Sequence, residues 1–244
     1  ELADDEDVVT QEAGYWREQV TYWRERLTLR PPTIQLPNDR PRPAVPDWRC
    51  GAEQLTLEPA LWSRVAALAA RLAGPTASHS IRADPILGGS IAIITAAWVV
   101  LSRWAGEEDV AAACFAFRPL PHTVGPLARP LPLRCHVHSK LSFPSLFVNL
   151  IETLSQAAHH QDAAAESFAA EAGEDVSPIS FVLPGAMPTI AHQQQAEGLH
   201  LLAPLSPYDL SFHLQATPTS QGAPGTPALV LGYLSIPDCP SCPA

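Results

Sequence analysis

The segment from Pro85 to Ser102 contains no charged residue, and this constrains the fold more than any other feature of the chain. Its length lies at the lower limit for a membrane-spanning helix, about 17–25 residues. However, Gly88-Gly89-Ser90 lowers its hydrophobicity, and no basic cluster flanks it. Asp84 and Pro85 supply an N-cap and a first-turn proline. We therefore predict a buried core helix that ends near Gly106.

The composition excludes several classes of function. The chain has 244 residues, of which 46% are hydrophobic and 16% are charged, so it can bury a sizeable core. It carries 15 Lys and Arg residues against 25 Asp and Glu residues, a net charge of -10. Nucleic acids and anionic membranes bind basic surfaces, so we expect neither as a partner. Five scattered cysteines do not make a disulfide-stapled scaffold, which favours a reducing, cytoplasmic location.

The hydrophobic pattern predicts helices and strands without a regular β-α-β order, which is typical of the α+β class. We expect a mixed or mostly antiparallel sheet that helices cover. Besides the core helix, we predict helices between Glu58 and Gly74 and from about 144 to 172. Predicted strands lie at 52–57, 110–117, 131–139, 179–183, 199–202, 208–216 and 228–236.

A near-repeat at a spacing of seven residues marks the N-terminal region: Tyr15-Trp16-Arg17-Glu18-Gln19-Val20 is followed by Tyr22-Trp23-Arg24-Glu25-Arg26-Leu27. Seven residues are about two helical turns, so both aromatic pairs are predicted along one side of a helix. Two repeats are too short to sustain a coiled coil, and we expect this helix to dock on its own domain. The six prolines between Pro31 and Pro46 predict an extended linker.

These features predict four parts. Residues 1–30 form an acidic segment and a helix, and residues 31–49 form a proline-rich extended linker. Residues 50–236 form the α+β lobe, and residues 237–244 form a tail rich in proline and cysteine.

Motifs for metal, redox or nucleotide chemistry are weak. Neither glycine-rich phosphate-binding motif is present. Cys239 and Cys242 have C-x-x-C spacing, but they stand in the proline-rich tail without a second pair. His136, His138 and His213 would share a polar sheet face if their strands were neighbours, yet no carboxylate or thiolate completes the set. We predict no metal site.

The tandem His159-His160, followed by Gln161-Asp162, is the most informative polar stretch. One imidazole can take a proton near neutral pH while a neighbour orients it, which suggests a general base. The alternative is a solvated helix face, and taken alone the composition favours that interpretation.

Several segments resemble, in order, the motifs of one known family. They are Tyr22-Trp23-x-x-x-Leu27 with Leu36-Pro37-Asn38-Asp39-Arg40-Pro41-Arg42-Pro43, Val100 to Asp109, Gly125 with Leu131-Pro132-Leu133-Arg134, the set His160, Gln161, Asp162 and Glu166, and Tyr208-Asp209-Leu210-Ser211. They are similar to the family's Y-W-x-x-x-L with L-P-T-D-R-P-R-P, L-L-S-R-Y-T-G-Q-D-D, G-x-F-V-N-T-L-P-L-R, H-Q-D-x-P-F-E and F-D-L-T. The chain thus resembles the condensation domain of nonribosomal peptide synthetases, in the chloramphenicol acetyltransferase-like superfamily, and specifically its C-terminal lobe.

The resemblance implies a set of family-motif positions that are structural or line a substrate tunnel. These positions are Tyr22, Trp23, Asp39, Arg40, Gly125, Arg134, His160, Gln161, Asp162, Glu166 and Asp209. It implies no catalytic residue within this chain, because the family's H-H-x-x-x-D-G motif belongs to the first lobe. His159-His160 does not match that motif, since Ala164-Ala165 stands where its aspartate and glycine would be.

Two departures from the family pattern bear on function. Leu127-Ala128-Arg129-Pro130 replaces the family's F-V-N-T, and Ala164-Ala165 replaces its P-F. The leading expectation is a C-terminal half of a condensation domain, inactive without its first lobe, that serves amide formation between carrier-tethered acyl or aminoacyl thioesters.

The expected partners are the missing first lobe and peptidyl or acyl carrier proteins, whose phosphopantetheine arm is the substrate tether. No covalently bound cofactor is expected. Two alternatives remain open. In the first alternative, the chain is a degenerate lobe that binds carrier proteins or a partner subunit and does not catalyse a reaction. In the second, it is an acyltransferase of the same superfamily that uses free coenzyme A.

Overall fold

The computed structural model describes residues 2–27, 34, 36, 50–74, 84–116, 129–163, 178–183, 208–216 and 227–234. Its helices are α1 (Leu2–Leu27), α2 (Pro59–Ala73), α3 (Pro85–Ala105) and α4 (Phe143–His159). Its strands are β1 (Cys50–Thr56), β2 (Asp109–Ala116), β3 (Arg129–His136), β4 (Ile179–Val182), β5 (Leu210–Ala216) and β6 (Pro227–Leu234). The predicted α+β class is confirmed. The predicted strand at 199–202 and the tail at 237–244 lie outside the described residues, as does most of the linker.

The strands form one mixed sheet in the order β1-β6-β5-β4-β2-β3. β4 runs parallel to both of its neighbours, β2 and β5, whereas the other pairs are antiparallel. Parallel strands are usually covered on both faces of a sheet. In agreement with this rule, every residue of β4 is buried.

The core helix forms where the sequence predicts it. The Asp84 carboxylate accepts hydrogen bonds from the backbone N–H groups of Ile86 (2.8 Å) and Leu87 (3.2 Å), which caps the N-terminus of α3. Gly106 ends the helix in the left-handed conformation with φ of 72°. α3 is long and apolar enough to cross a membrane, but 56% of its apolar stretch is buried inside this fold.

An aromatic stack joins α3 to the sheet. Trp98 is fully buried, and its ring lies 5.0 Å from that of Phe181 on β4. Phe181 in turn lies 5.0 Å from Phe212 on β5. The Trp98 indole N–H donates to the Val110 carbonyl on β2 (3.3 Å). The buried indole therefore has a polar partner, and one side chain ties α3 to two strands.

The helix predicted from about 144 to 172 is interrupted at His160, and its predicted residues 164–172 lie outside the described residues. α4 ends at His159, and the His160 N–H closes it by donating to the Gln156 carbonyl (3.1 Å). Residues 160–162 form a turn. Side chains of α1 bind the carbonyl groups at this end, as described below, so a tertiary contact stops a stretch whose composition favours continuation. Conversely, α1 begins at Leu2, and the acidic opening is helical.

The crossing of α2 and α3 requires a residue without a side chain. A Cβ atom on Gly89 would lie within 3.0 Å of three ring atoms of Trp62 on α2. We expect Gly89→Ala to lower the free energy of unfolding by about 1–3 kcal/mol, because the indole must move out of its packed position. Urea denaturation followed by circular dichroism measures this change.

Two controls separate this clash from a general effect of the extra methyl group. Apart from the adjacent backbone of α1, no described atom lies within 4 Å of the corresponding position on Gly14, so Gly14→Ala should be neutral or stabilising by up to about 1 kcal/mol. Trp62→Leu should remove most of the penalty when combined with Gly89→Ala. Equal effects of Gly89→Ala in the presence and absence of the Trp62 ring would contradict the close-approach explanation.

Candidate functional site

The structure brings together two of the family-motif segments that are far apart in the sequence. α1, which carries Tyr22 and Trp23, lies against the C-terminal end of α4 and the turn that carries His160, Gln161 and Asp162. The Trp23 indole N–H donates to the His160 carbonyl (2.6 Å). The Gln19 side-chain N–H donates to the His159 carbonyl (3.2 Å). We call this contact the α1–α4 junction.

Two further polar contacts flank the α1–α4 junction. The Tyr15 hydroxyl donates to the Asp162 carboxylate, and the Arg26 guanidinium donates to the Gln156 side-chain oxygen. The junction thus extends along α1 from Tyr15 to Arg26, a distance of about 16 Å at the rise of an α-helix.

The His160 imidazole is engaged on several sides. Its ring stacks on the Tyr22 ring, with centroids 4.0 Å apart and planes inclined by 6°. Nδ1 lies 2.8 Å from the Gln156 carbonyl oxygen, which can only accept, so Nδ1 carries the proton. Nε2 faces the Glu18 carboxylate at 4.0 Å, and only 13% of the side chain is exposed. This arrangement orients a structural histidine.

An open depression of about 460 Å³ borders the junction along α1. It is lined by Gly14, Arg17, Glu18, Thr21, Tyr22, Glu25 and His160. The carboxylates and the guanidinium of this lining belong to α1 and are typical of a solvated helix face. The solvated-face interpretation of the tandem histidines holds for His159, which is exposed, but not for His160, whose side chain is stacked and 13% exposed.

Arg134 has a different role from the junction residues. Its Nε lies 3.0 Å from both carboxylate oxygens of Asp109, and its Nη2 lies 2.5 Å from Asp109 Oδ2. These hydrogen bonds raise the pKa of the Arg134 guanidinium. Asp109 opens β2 and Arg134 lies near the end of β3, so the pair ties the two antiparallel strands together.

Asp209 directly precedes β5 and is partly buried. Its neighbour Tyr208 is buried, and the Tyr208 ring meets the Phe115 ring edge-on at 5.9 Å. The remaining motif positions, Asp39, Arg40, Gly125 and Glu166, lie outside the described residues.

The three histidines would share one sheet face only if their strands were neighbours, and this condition is not met. His136 is on the edge strand β3 and His213 is on β5, and β2 and β4 lie between them. The His136 side chain is 70% exposed, whereas His213 is buried. Within the part of the chain that the structure describes, no three metal-binding side chains form a cluster. The order of the strands separates residues that the alternation pattern alone could not place.

Desolvation by burial lowers the pKa of His213 below the ordinary value of 6.5. Because the unfolded chain binds a proton more readily, His213 stabilises the fold fully above pH 6.5, and this contribution is lost as the pH falls toward the lowered pKa. We expect the free energy of unfolding of the native chain to fall more between about pH 7 and pH 5 than that of His213→Gln. Urea denaturation at each pH measures the difference.

The His213→Gln comparison has an internal control. His136→Gln removes a histidine whose side chain is 70% exposed rather than buried. We therefore expect the native pH dependence to survive His136→Gln. Identical pH profiles for the native chain and His213→Gln would contradict the assignment to His213.

Several residues that build these contacts were not among the eleven predicted site positions, although Asp109 and Ser211 lie within motif segments of the sequence. They are Gln19, Gln156 and Asp109 and the hydroxyl pair Ser180 and Ser211, whose oxygens lie 2.8 Å apart between β4 and β5. Gln19 carries a signal in the sequence, because Tyr15, Gln19 and Trp23 recur every four residues and mark one helix face. A buried glutamine in such a stripe indicates a polar partner across the interface.

Comparisons with known proteins agree with this fold and these motifs. The family model of the condensation domain matches residues 6–215. Phosphinothricin tripeptide synthetase PhsC of Streptomyces viridochromogenes is 31% identical over 163 residues, which are 65% of this chain and 13% of that protein.

Solved structures show the same fold. The X-domain in its complex with OxyB from teicoplanin biosynthesis superposes with a TM-score of 0.66 at 21% identity, over 89% of this chain and 47% of that chain. The first condensation domain of the CDA synthetase superposes with a TM-score of 0.56 at 22% identity, over 94% of this chain and 48% of that chain. The chain therefore spans about half the length of these structures and a small part of the synthetase.

A match of this extent to the family model, together with the ordered motifs and the shared α+β fold, leads to one conclusion: the chain belongs to the condensation-domain family.

Proposed function

We propose that this chain is the C-terminal half of a condensation domain that forms amide bonds between carrier-tethered acyl and aminoacyl thioesters. The observation that carries the proposal is the family match over residues 6–215, combined with a span of only 48% of the first condensation domain of the CDA synthetase. The other half would be a first lobe that carries H-H-x-x-x-D-G, and the chain would be inactive without it.

The state of His160 supports this division of labour. Amide formation requires an amine to attack a thioester carbonyl, and a histidine orients the amine or takes its proton. A histidine in that role needs a free nitrogen directed at the substrate. His160 is stacked on Tyr22 and donates through Nδ1 to the Gln156 carbonyl, and its other nitrogen, Nε2, faces the Glu18 carboxylate of α1 at 4.0 Å. The described part of this lobe would therefore contribute a rigid wall beside the two phosphopantetheine arms, and the first lobe would contribute the histidine.

Reconstitution tests this proposal. The isolated chain, mixed with two carrier proteins loaded with an acyl and an aminoacyl thioester, should form no amide product by mass spectrometry. The same chain joined to a first lobe with H-H-x-x-x-D-G should form it. Changing the second histidine of that motif to alanine should abolish turnover, whereas His160→Ala should leave a measurable rate. Robust turnover by the isolated chain would overturn the division of labour.

A second function is favoured by the replaced motif residues. Leu127-Ala128-Arg129-Pro130 and Ala164-Ala165 stand where the family has F-V-N-T and P-F. The structurally similar X-domain is found in a complex with OxyB. A lobe of this kind would bind a carrier protein or a partner subunit without catalysis. Calorimetric titration of the chain with holo-carrier protein and with free coenzyme A distinguishes a carrier-binding lobe from an acyltransferase that uses the free cofactor. Saturable binding of the carrier protein, together with an inactive joined enzyme, would favour the binding function.

A further inference from the structure

α1 supplies hydrogen-bond donors that the end of α4 lacks. The last four carbonyl groups of a helix have no partner within the helix. At the end of α4, the His159 carbonyl accepts from Gln19, and the next carbonyl, that of His160, accepts from Trp23. These donors come from residues 140 and 137 positions earlier in the chain. α1 therefore acts as a tertiary cap for α4.

This kind of cap fixes an orientation as well as a position. Hydrogen bonds to carbonyl oxygens weaken steeply when the donor leaves the favoured direction. The parallel stacking of the Tyr22 and His160 rings further restricts rotation of α1 about its own axis. The contacts of Tyr15 with Asp162 and of Arg26 with Gln156 restrict sliding along that axis.

We propose that Gln19, Tyr22, Trp23 and His160 are positioning residues, which set the direction in which α1 leaves the lobe. This inference rests on the proposed function, in which a first lobe precedes α1. α1 extends about 30 Å from Trp23 to its first residue, so a tilt of about 10° at the junction moves that end by about 5 Å. Reacting groups must meet within about 3–3.5 Å, so the α1–α4 junction sets the alignment of the two lobes without contacting a substrate.

Gln19 allows the positioning role to be separated from stability. Its side-chain oxygen Oε1 is buried and has no hydrogen-bond partner among the residues that the structure describes. Leucine has a similar volume, so Gln19→Leu removes the donor to His159 and also removes an unpaired buried acceptor. These two effects oppose each other, and the free energy of unfolding should change by less than about 1 kcal/mol.

The test measures the direction of α1 in the isolated chain. Because the chain has five native cysteines, spin labels are attached through unnatural amino acids at position 6 of α1 and in place of Ser155 of α4. Pulsed electron paramagnetic resonance then measures the distance between the two labels. We expect Gln19→Leu combined with Trp23→Phe to broaden this distance distribution by about 5 Å, while circular dichroism shows a folded chain. Gln19→Leu alone should broaden it less, and Trp16→Ala should leave it unchanged, because Trp16 lies outside the contact.

The second readout is catalytic. In the chain joined to a first lobe, the double variant should lower kcat by about tenfold or more and leave KM for the loaded carrier protein unchanged. An unchanged distance distribution in both Gln19→Leu and the double variant would overturn the positioning role. A joined native chain that makes no amide would instead overturn the proposed function, and the distance measurement would still decide the role of the junction.

Discussion

Replacing Trp23 by alanine is expected to lower the free energy of unfolding by about 3–5 kcal/mol. Trp23 is only 1% exposed, so the substitution removes a complete indole from the packed contact between α1 and the rest of the lobe. It also leaves the His160 carbonyl without the indole N–H that donates to it. Urea denaturation followed by circular dichroism measures the loss, and hydrogen exchange should show that the amides of α1 lose protection first.

Trp16 provides a matched control for Trp23, since the two residues occupy equivalent places in the seven-residue repeat. Trp16 is 48% exposed and contacts the Tyr15 ring edge-on at 5.9 Å. Trp16→Ala should change the free energy of unfolding by no more than about 0.5 kcal/mol. Trp23→Phe should cost about 1–3 kcal/mol, because it keeps most of the apolar area but loses the donor. Similar losses for Trp16→Ala and Trp23→Ala would mean that α1 is not held through this contact.

The two tryptophans show what periodicity can and cannot predict. A spacing of seven residues correctly predicts one helix, but it places Trp16 and Trp23 on the same side with equal weight. The structure distinguishes them: Trp23 is 1% exposed and donates to the His160 carbonyl, whereas Trp16 is 48% exposed although its neighbour Tyr15 still contacts Asp162. Periodicity gives the side of the helix on which a residue lies, but whether the partner surface covers that residue is a tertiary property.

The end of α4 is a second feature that the local sequence does not predict. Ala163 and the alanines that follow it are good helix formers, so local propensity predicts continuation beyond His160. The donors that bind the His159 and His160 carbonyls come from α1. By contrast, the ends of α3 were predictable, because an aspartate N-cap and a left-handed glycine act within the segment itself.

The positions of the strands could be predicted from the sequence, but which of their side chains are exposed could not. Alternation in 208–216 correctly predicts β5, yet the polar residues Ser211 and His213 are buried, whereas the apolar Leu210 and Phe212 are only partly buried. β5 lies inside the sheet beside the parallel strand β4, where the Ser211 hydroxyl meets that of Ser180. A polar residue in an alternating strand therefore predicts a solvent-exposed side chain only where one face of the sheet is uncovered.

A second large effect is expected at the centre of the lobe. Trp98→Ala should lower the free energy of unfolding by about 3–5 kcal/mol, because a fully buried indole is removed from between α3 and the sheet. Trp104 lies on the same helix, but 58% of it is exposed, so Trp104→Ala should cost no more than about 0.5 kcal/mol. Urea denaturation of the two variants compares a tryptophan in the core with one at the surface of α3.

Burial and ring stacking contribute separately to this loss, and a double-mutant cycle separates them. The Trp98 and Phe181 rings lie 5.0 Å apart with planes inclined by 23°, an arrangement that adds about 0.5–1.5 kcal/mol beyond area burial. Trp98→Leu and Phe181→Leu each keep an apolar side chain but remove the stack. If stacking stabilises the core, the sum of the losses in the free energy of unfolding of the two single variants should exceed the loss of the double variant by about that amount. Strict additivity would instead show that Trp98 holds α3 on the sheet through apolar area and its hydrogen bond to Val110 alone.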